Sequence, residues 1–111
     1  MSEGLPKAIL ERMKGYPPFS RMVWRTCAAI PAGEVRSYAW IARRMGRPAA
    51  ARAVGQALKR NPFAPVVPCH RVVPAASLKD DSLRPGASLG GYTAPGGLKA
   101  KARLLRKEKA L

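Results

Sequence analysis

Apolar positions recur at helical spacing through the first half of the chain and predict three consecutive helices. The first has such positions three or four residues apart, at Phe19, Met22, Val23, Thr26, Cys27 and Ile30. Ser20 is placed to cap the start of this helix, and Pro31 with Gly33 ends it. Cys27 falls within the apolar pattern and is predicted to be a core residue.

The second and third predicted helices form a pair. Ser37 caps the second and Gly46 ends it, and its buried stripe is Tyr38, Ile41, Ala42 and Met45. The third runs from about Ala49 to Arg60, with Pro48 at its start and with Ala50, Ala53, Val54, Ala57 and Leu58 facing inward. Two helices joined by a tight turn containing glycine are typical of a helix-turn-helix.

The outward face of the third helix carries little side-chain bulk. It is formed by Ala51, Arg52, Gly55, Gln56 and Lys59. A helix this smooth can lie close to a groove of nucleic acid, with Arg52 as the long side chain near its start. The alternative is that the alanines simply favour helix formation.

Shorter elements flank this pair. A short helix is predicted near residues 7–14, and residues 63–67 are predicted as a short strand or extended segment after Asn61-Pro62 stops the third helix. Residues 74–97 form a connection that is long for a compact domain. A last helix over 98–108 is predicted to turn Leu98, Ala102 and Leu105 inward. The sequence thus predicts a mainly α, winged helix-turn-helix-like single domain with short strand or hairpin segments, over residues 18–111, after an N-terminal extension, 1–17.

Charge is the strongest compositional feature, and it points to a polyanionic partner. The 111 residues contain 21 Lys and Arg against 6 Asp and Glu, a formal net charge of +15. Such a field attracts nucleic acid and is screened by salt. A generically basic protein, such as a ribosome-associated factor, is the alternative.

Composition also excludes several classes of protein. No run of about 18 apolar residues is present, so no membrane span or membrane partner is expected. The start lacks the apolar run of a signal peptide. Two cysteines give no disulfide framework, and with one histidine they are too few for a closed four-ligand zinc site. No metal is expected, and a reduced, cytoplasmic or nucleoid-associated location is the default.

One heptapeptide carries the candidate chemistry, Val67-Pro68-Cys69-His70-Arg71-Val72-Val73. A thiol reacts as its thiolate, and a neighbouring imidazole makes thiolate more available. His70 can take the thiol proton through a water molecule, and Glu108 can orient the imidazole, which gives a nucleophile, a base and an orienting group in series. A buried thiol beside a surface histidine is the plainer reading of the same pair.

These pieces together resemble the O6-alkylguanine-DNA alkyltransferase family, in its DNA-binding, active-site domain. The resemblance covers residues 18–108, through the stretches 33–38, 51–57, 61–62, 68–73, 91–92, 96–98, 104–105 and Glu108. It implies a protein that binds duplex DNA carrying O6-alkylguanine through the minor groove. The alkyl group would pass irreversibly to Cys69, once per molecule, without a cofactor and in a monomer.

The resemblance also implies roles for individual side chains. Arg52 would fill the space of the flipped nucleotide, and Tyr38 would crowd the adjacent phosphate and protonate the departing guanine. The outward face of the third helix, with Arg71, would contact DNA. Val67, Pro68, Tyr92 and Thr93 would line the guanine pocket, and Asn61 would tie the turn to the active-site segment.

Two departures from the family pattern keep a second function open. The chain is as short as the alkyltransferase-like proteins, which bind alkylated DNA, signal to other repair pathways and usually have tryptophan in place of the cysteine. Cys69 matches the enzymes instead. The 74–97 connection is also longer than usual for the family and can alter which adducts fit. A sequence-reading helix-turn-helix regulator is disfavoured, because the third helix presents few base-reading side chains.

Overall fold

The described part of the chain is built from five helices and two pairs of two-residue strands. A computed structural model describes residues 5–64, 66–79, 82–84, 87–90 and 96–110. The helices are α1 (Lys7–Met13), α2 (Pro18–Ala28), α3 (Tyr38–Arg44), α4 (Ala51–Lys59) and α5 (Gly97–Lys107). The strands are β1 (Arg36–Ser37), β2 (Val72–Val73), β3 (Leu78–Lys79) and β4 (Ser82–Leu83). The predicted mainly α class with short strand and hairpin segments is confirmed, and no described helix has the length and apolarity to cross a bilayer.

Strand pairing connects distant parts of the chain. β1 and β2 are parallel, with Arg36 opposite Val72 and Ser37 opposite Val73. This pair joins the residues just before α3 to those just after the Cys-His-Arg segment. β3 and β4 form a small antiparallel hairpin, so part of the long 74–97 connection is folded.

Helix starts follow local chemistry, with one correction. Ser37 caps α3 as predicted, since its Oγ accepts a hydrogen bond from the Trp40 amide at 2.9 Å. The predicted cap at Ser20 is wrong, because α2 already begins at Pro18. Proline suits a first helical position, where its fixed φ is favourable and an N–H would have no helical partner.

Two clusters of buried side chains form the interior. The larger joins α2, α3 and α4 and includes Val23, Trp24, Cys27, Ile41, Val54, Leu58, Phe63, Val67 and Val72. The smaller is formed by Val35, Val73 and Leu105, with Leu78 and Leu83 of the hairpin packed against it. Cys27 is fully buried, as predicted.

The N-terminal segment packs on the larger cluster. Met13 of α1 is buried within it. The rings of Tyr16, Trp24 and Phe63 meet edge to face, with centroids 5.1 to 5.9 Å apart, and the Arg12 guanidinium lies 5.2 Å from the Phe63 ring centre. Residues before the predicted boundary at 17/18 therefore contribute to the same core.

Some predicted faces differ from the structure. Ala53 is exposed although it was placed inward, while Ala51 and Gly55 are half-buried. Leu98 is 54% exposed, and Lys101 takes an inward place in α5 instead. α5 begins at Gly97 after a left-handed Gly96, so its buried face includes Ala100, Lys101 and Leu105.

In the segment 63–67, predicted as a short strand or extended segment, the described residues form a turn instead. Residues 62–64 and 66–67 adopt turn and bend conformations, and the Val67 amide donates to the Phe63 carbonyl at 3.0 Å. Pro62 and the side-chain bonds of Asn61 favour this compact path over an extended one.

Candidate active site and nucleic-acid surface

Asn61 organises the approach to Cys69. Its Nδ2 donates to the Val67 carbonyl at 2.9 Å, and its Oδ1 accepts from the Phe63 amide at 2.8 Å. The Cys69 amide donates to the same Val67 carbonyl at 2.8 Å. The Asn61 side-chain amide thus bridges the described residues between α4 and the thiol.

The Cys69 thiol is half-buried at the start of a 3₁₀ turn, Cys69–Arg71. Burial raises its pKa, against the opposing effects of a hydrogen bond from Asn61 and the positive charge of Lys101. In the resting protein the group is therefore a thiol at neutral pH, and its activation requires a base. Val67 and Pro68, the predicted pocket residues before it, are buried, whereas Tyr92 and Thr93 lie outside the described residues.

His70 is the adjacent base and is almost fully enclosed. Its side chain is 1% exposed, and Nε2 lies 3.0 Å from Glu108 Oε2. Burial lowers the pKa of the imidazole, and Glu108 opposes this only in part, so His70 is neutral at physiological pH. Nδ1 is buried without a hydrogen-bond partner among the described residues. One ring nitrogen is therefore held by a carboxylate while the other remains able to accept a proton.

Glu108 contacts Arg71 as well as His70. Arg71 donates to it from Nε at 2.9 Å and from Nη2 at 2.7 Å, and Arg71 Nη1 also bonds the Ile30 carbonyl at 2.7 Å. Burial alone would raise the Glu108 pKa, but hydrogen bonds from Arg71 and His70 outweigh it and bring the value from 4.5 to about 2. Arg71 therefore has an internal bidentate role at Glu108, in addition to the DNA contact that the sequence predicts for it.

Lys101 is a member of this site that the sequence reasoning missed. Its side chain is completely buried, and Nζ donates to the Val72 carbonyl at 2.8 Å. Burial lowers the Lys101 pKa to about 8, against the thiol groups of Cys69 and Cys27, which favour the cation. The signal available was its position four residues before Leu105, on the same helical face. A buried ammonium near the thiols stabilises a thiolate when one forms.

Tyr38 begins α3 and lies between α4 and the segment at Gly90. A side-chain carbon at Gly55 would come 3.9 Å from the Tyr38 ring, and one at Gly90 would come 3.1 Å from its hydroxyl. Gly90 also has φ of +76°, which disfavours other residues. Burial raises the pKa of Tyr38, so its hydroxyl remains a proton donor at neutral pH.

The outer surface of the helix-turn-helix is uniformly basic. Residues 35–79 contain no Asp or Glu. On α4, Arg52, Gln56 and Lys59 are exposed, while Ala51 and Gly55 are half-buried beside them. Arg52 is thus exposed as the sequence predicts, and small residues flank it, although the half-buried Ala51 packs against the larger core cluster.

Glu108 should make the folded protein less stable as the pH falls below about 4.5. As pH falls, an unfolded carboxyl takes up its proton near 4.5, whereas in the folded protein Glu108 stays ionised until about 2. The unfolded state thus binds more protons in this window, and the free energy of unfolding should fall by roughly 1–2 kcal/mol on this account. Urea unfolding at pH 6, 4 and 3 should show this loss. Glu108→Gln should be less stable than wild type at pH 6 and should lose less stability on acidification.

Glu11→Gln is the matched control, because the exposed Glu11–Lys14 pair contributes little to stability. Equal acid losses in wild type and Glu108→Gln would contradict the assignment.

Comparisons of sequence and of structure with known proteins give consistent matches. The family model described as "6-O-methylguanine DNA methyltransferase, DNA binding domain" matches residues 18–110. Curated relatives named methylated-DNA–protein-cysteine methyltransferase include one from Salmonella typhimurium, 44% identical over 99 residues, and one from Mycobacterium leprae, 47% identical over 91 residues. These alignments cover 89% and 82% of this chain but 51% and 48% of the relatives. The chain therefore spans about half the length of the curated relatives it matches.

Solved structures show the same fold. Mycobacterium tuberculosis OGT in complex with DNA has a TM-score of 0.71 at 44% identity, over 85% of this chain and 51% of that one. S. pombe Atl1, in complex with damaged DNA containing O6-carboxymethylguanine, has a TM-score of 0.61 at 30% identity, over 81% of this chain and 74% of that one.

Proposed function

The chain belongs to the 6-O-methylguanine DNA methyltransferase family, in its DNA-binding domain, and we propose that it repairs DNA by transferring an alkyl group from guanine O6 to Cys69. The observation that supports this most is the order thiol, neutral imidazole, carboxylate. Cys69 is followed by His70, whose Nε2 is held by Glu108 at 3.0 Å. We also propose residues 18–111 as the reactive domain, working as a monomer and without a cofactor, after the N-terminal extension 1–17, whose described residues 5–17 pack on its core.

The proposed reaction is one displacement at a saturated carbon. Cys69 Sγ gives its proton to His70 Nδ1 through a water molecule, and Sγ then forms a bond to the alkyl carbon as the bond from that carbon to guanine O6 breaks. Lys101 stabilises the transient thiolate, and Glu108 stabilises the imidazolium. The departing guanine takes a proton from Tyr38. The product is a thioether, so the same thiol does not react twice.

The helix-turn-helix would present the damaged base to this thiol. We propose that α4 lies in the minor groove and that Arg52 occupies the space left by the flipped nucleotide. Extruding a base costs a few kcal/mol, and least for a damaged one. The basic surface of residues 35–79 would supply the phosphate contacts, so association should weaken steeply with salt.

A second candidate is a lesion-binding protein that leaves the adduct in place. The likeness to Atl1, whose solved complex contains O6-carboxymethylguanine DNA, favours it. The two functions separate at Cys69, because only the first adds mass there. Intact-protein mass spectrometry after incubation with O6-methylguanine duplex should show a gain of about 14 Da on Cys69. Tight binding to the lesion with no mass gain would establish the second candidate.

Arg52 provides a test of base flipping. Arg52→Ala should slow alkyl transfer from duplex DNA by roughly 10- to 100-fold, since a few kcal/mol of unstacking would lose its support. Reaction with free O6-benzylguanine, which requires no flipping, should change much less. Arg103→Ala, which removes an exposed charge from α5, is the matched control and should slow neither reaction strongly. Equal losses of Arg52→Ala on both substrates would reject the flipping role.

A further inference from the structure

Trp40 of α3 is half-buried against the larger core cluster, with one arginine four residues before it and another four residues after it. The guanidinium carbon of Arg36 is 5.5 Å from the centre of the Trp40 ring, and that of Arg44 is 5.4 Å away. Both separations fall within the range of about 6 Å for cation–π attraction. We call this set the Arg36–Trp40–Arg44 row.

The two arginines of the row differ in their other partners. Arg36 donates from Nη1 to the Val35 carbonyl at 2.8 Å and from Nη2 to Glu34 Oε1 at 2.6 Å, so its charge is compensated. Arg44 is exposed, and within the described ranges no carboxylate lies at ion-pair distance from it. The row therefore presents one guanidinium that is stacked on an aromatic ring and has no anion of its own.

Arg44 lies close in the chain to the start of α4, which carries Arg52. Arg44 is the last residue of α3, and residues 45–50 join it to α4, where Arg52 is the second residue. Arg44 and Arg52 thus lie at the same end of the helix-turn-helix. In such pairs the first helix crosses the nucleic-acid backbone while the second enters a groove.

We propose that Arg44 binds a backbone phosphate of duplex DNA beside the nucleotide that Arg52 displaces, with Trp40 holding the guanidinium in place. The inference rests on the proposed function, because it takes duplex DNA as the partner. A planar guanidinium matches phosphate oxygens in a bidentate manner. Stacking on Trp40 restricts the side chain before binding, so less conformational freedom is lost on contact. Arg36, whose charge is compensated by Glu34, also lies over the Trp40 ring.

Salt dependence of binding to undamaged duplex tests the phosphate contact. The magnitude of the slope of log affinity against log salt should fall by about 0.9 for Arg44→Ala, with roughly tenfold weaker binding at low salt. Arg103→Ala removes the same charge from the exposed face of α5 and should leave the slope nearly unchanged. An equal fall for both variants would mean a general field effect and would overturn the inference, as would no fall for Arg44→Ala. Thermal melting of each variant checks that it is folded.

Trp40 is tested without changing charge. Trp40→Leu should weaken duplex binding several-fold when Arg44 is present and should have little effect in the Arg44→Ala background. Arg44→Lys should retain most of the salt slope but bind less tightly, because an ammonium lacks the planar fork. If Trp40→Leu weakens binding equally in both backgrounds, Trp40 does not act through Arg44 and that part of the proposal fails.

Failure of this inference can be told apart from failure of the repair function. Alkyl transfer is tested by the mass gain on Cys69 of the wild-type protein. The role of Arg44 is tested separately, by the salt slopes of binding to undamaged duplex. Transfer with no slope difference would leave the repair function standing and remove the inference. A slope difference without alkyl transfer would reject the repair function and keep the role of Arg44 in duplex binding. A wild-type protein with no affinity for undamaged duplex would also overturn the role of Arg44.

Discussion

Replacement of Cys69 by alanine is expected to abolish alkyl transfer while leaving association with alkylated duplex intact. The thiol is the atom that receives the alkyl group, and no hydroxyl or amine nearby matches a thiolate as a nucleophile toward saturated carbon. The Cys69 side chain lies at the edge of the larger core cluster, so its loss removes little packing. Transfer is measured as label moving from O6-[³H]methylguanine duplex to protein, and binding as the mobility shift of the same duplex.

Cys27→Ala is the matched control for this experiment. Cys27 is the other cysteine, and it is fully buried in the same cluster. Its pKa is raised far above the ordinary range, mainly because burial removes the thiol from water. A thiol so enclosed should not react, and the variant should transfer the label at nearly the wild-type rate, although with reduced stability. Transfer that persists in Cys69→Ala, or that disappears in Cys27→Ala while the protein remains folded, would refute the assignment of the nucleophile.

Replacement of His70 by glutamine should slow transfer by about 10²–10⁴ at neutral pH, the range expected for a positioned general base. Glutamine can still bond Glu108, and Glu108 keeps its two bonds from Arg71. The fold should therefore survive while proton transfer from the thiol is lost. Single-turnover rates of transfer from pH 6 to 10 provide the measurement.

The pH profile separates a chemical from a structural role of His70. Burial raises the Cys69 pKa, so in the glutamine variant the rate should climb with pH as solvent hydroxide ionises the thiol directly. The difference from wild type should then narrow in alkaline solution. A constant ratio of the two rates at every pH would indicate that His70 only positions the segment.

Local sequence signals predicted much of the helix-turn-helix. The Ser37 cap, the end of α4 before Asn61 and the exposed Arg52 all depend on residues close together in the chain, and the structure shows them as expected. The bond between His70 and Glu108 joins residues 38 positions apart. It was expected from the chemistry of the two groups and from the resemblance to a family, since helical or strand periodicity says nothing about such a distant pairing.

Signals failed where tertiary packing overrode a local preference. Lys101 has a charged side chain, and a charge on a helix is usually solvated, yet the carbonyl of Val72 and the thiol groups make a buried place for it. Leu98 was expected inside for the converse reason and is exposed. Each of these outcomes depends on partners that only the folded chain brings together.

The three-ring contact of Tyr16, Trp24 and Phe63 affects how a minimal version of this protein can be designed. The family match starts at residue 18, but a chain cut there would lose Met13 and Tyr16 and would leave an aromatic face open to solvent and to self-association. Phe63 also donates its amide to Asn61, so loosening that ring would disturb the amide side chain that fixes the approach to the reactive sulfur. The trimming limit is therefore set by side-chain burial near the amino terminus, several residues before the point at which family likeness begins.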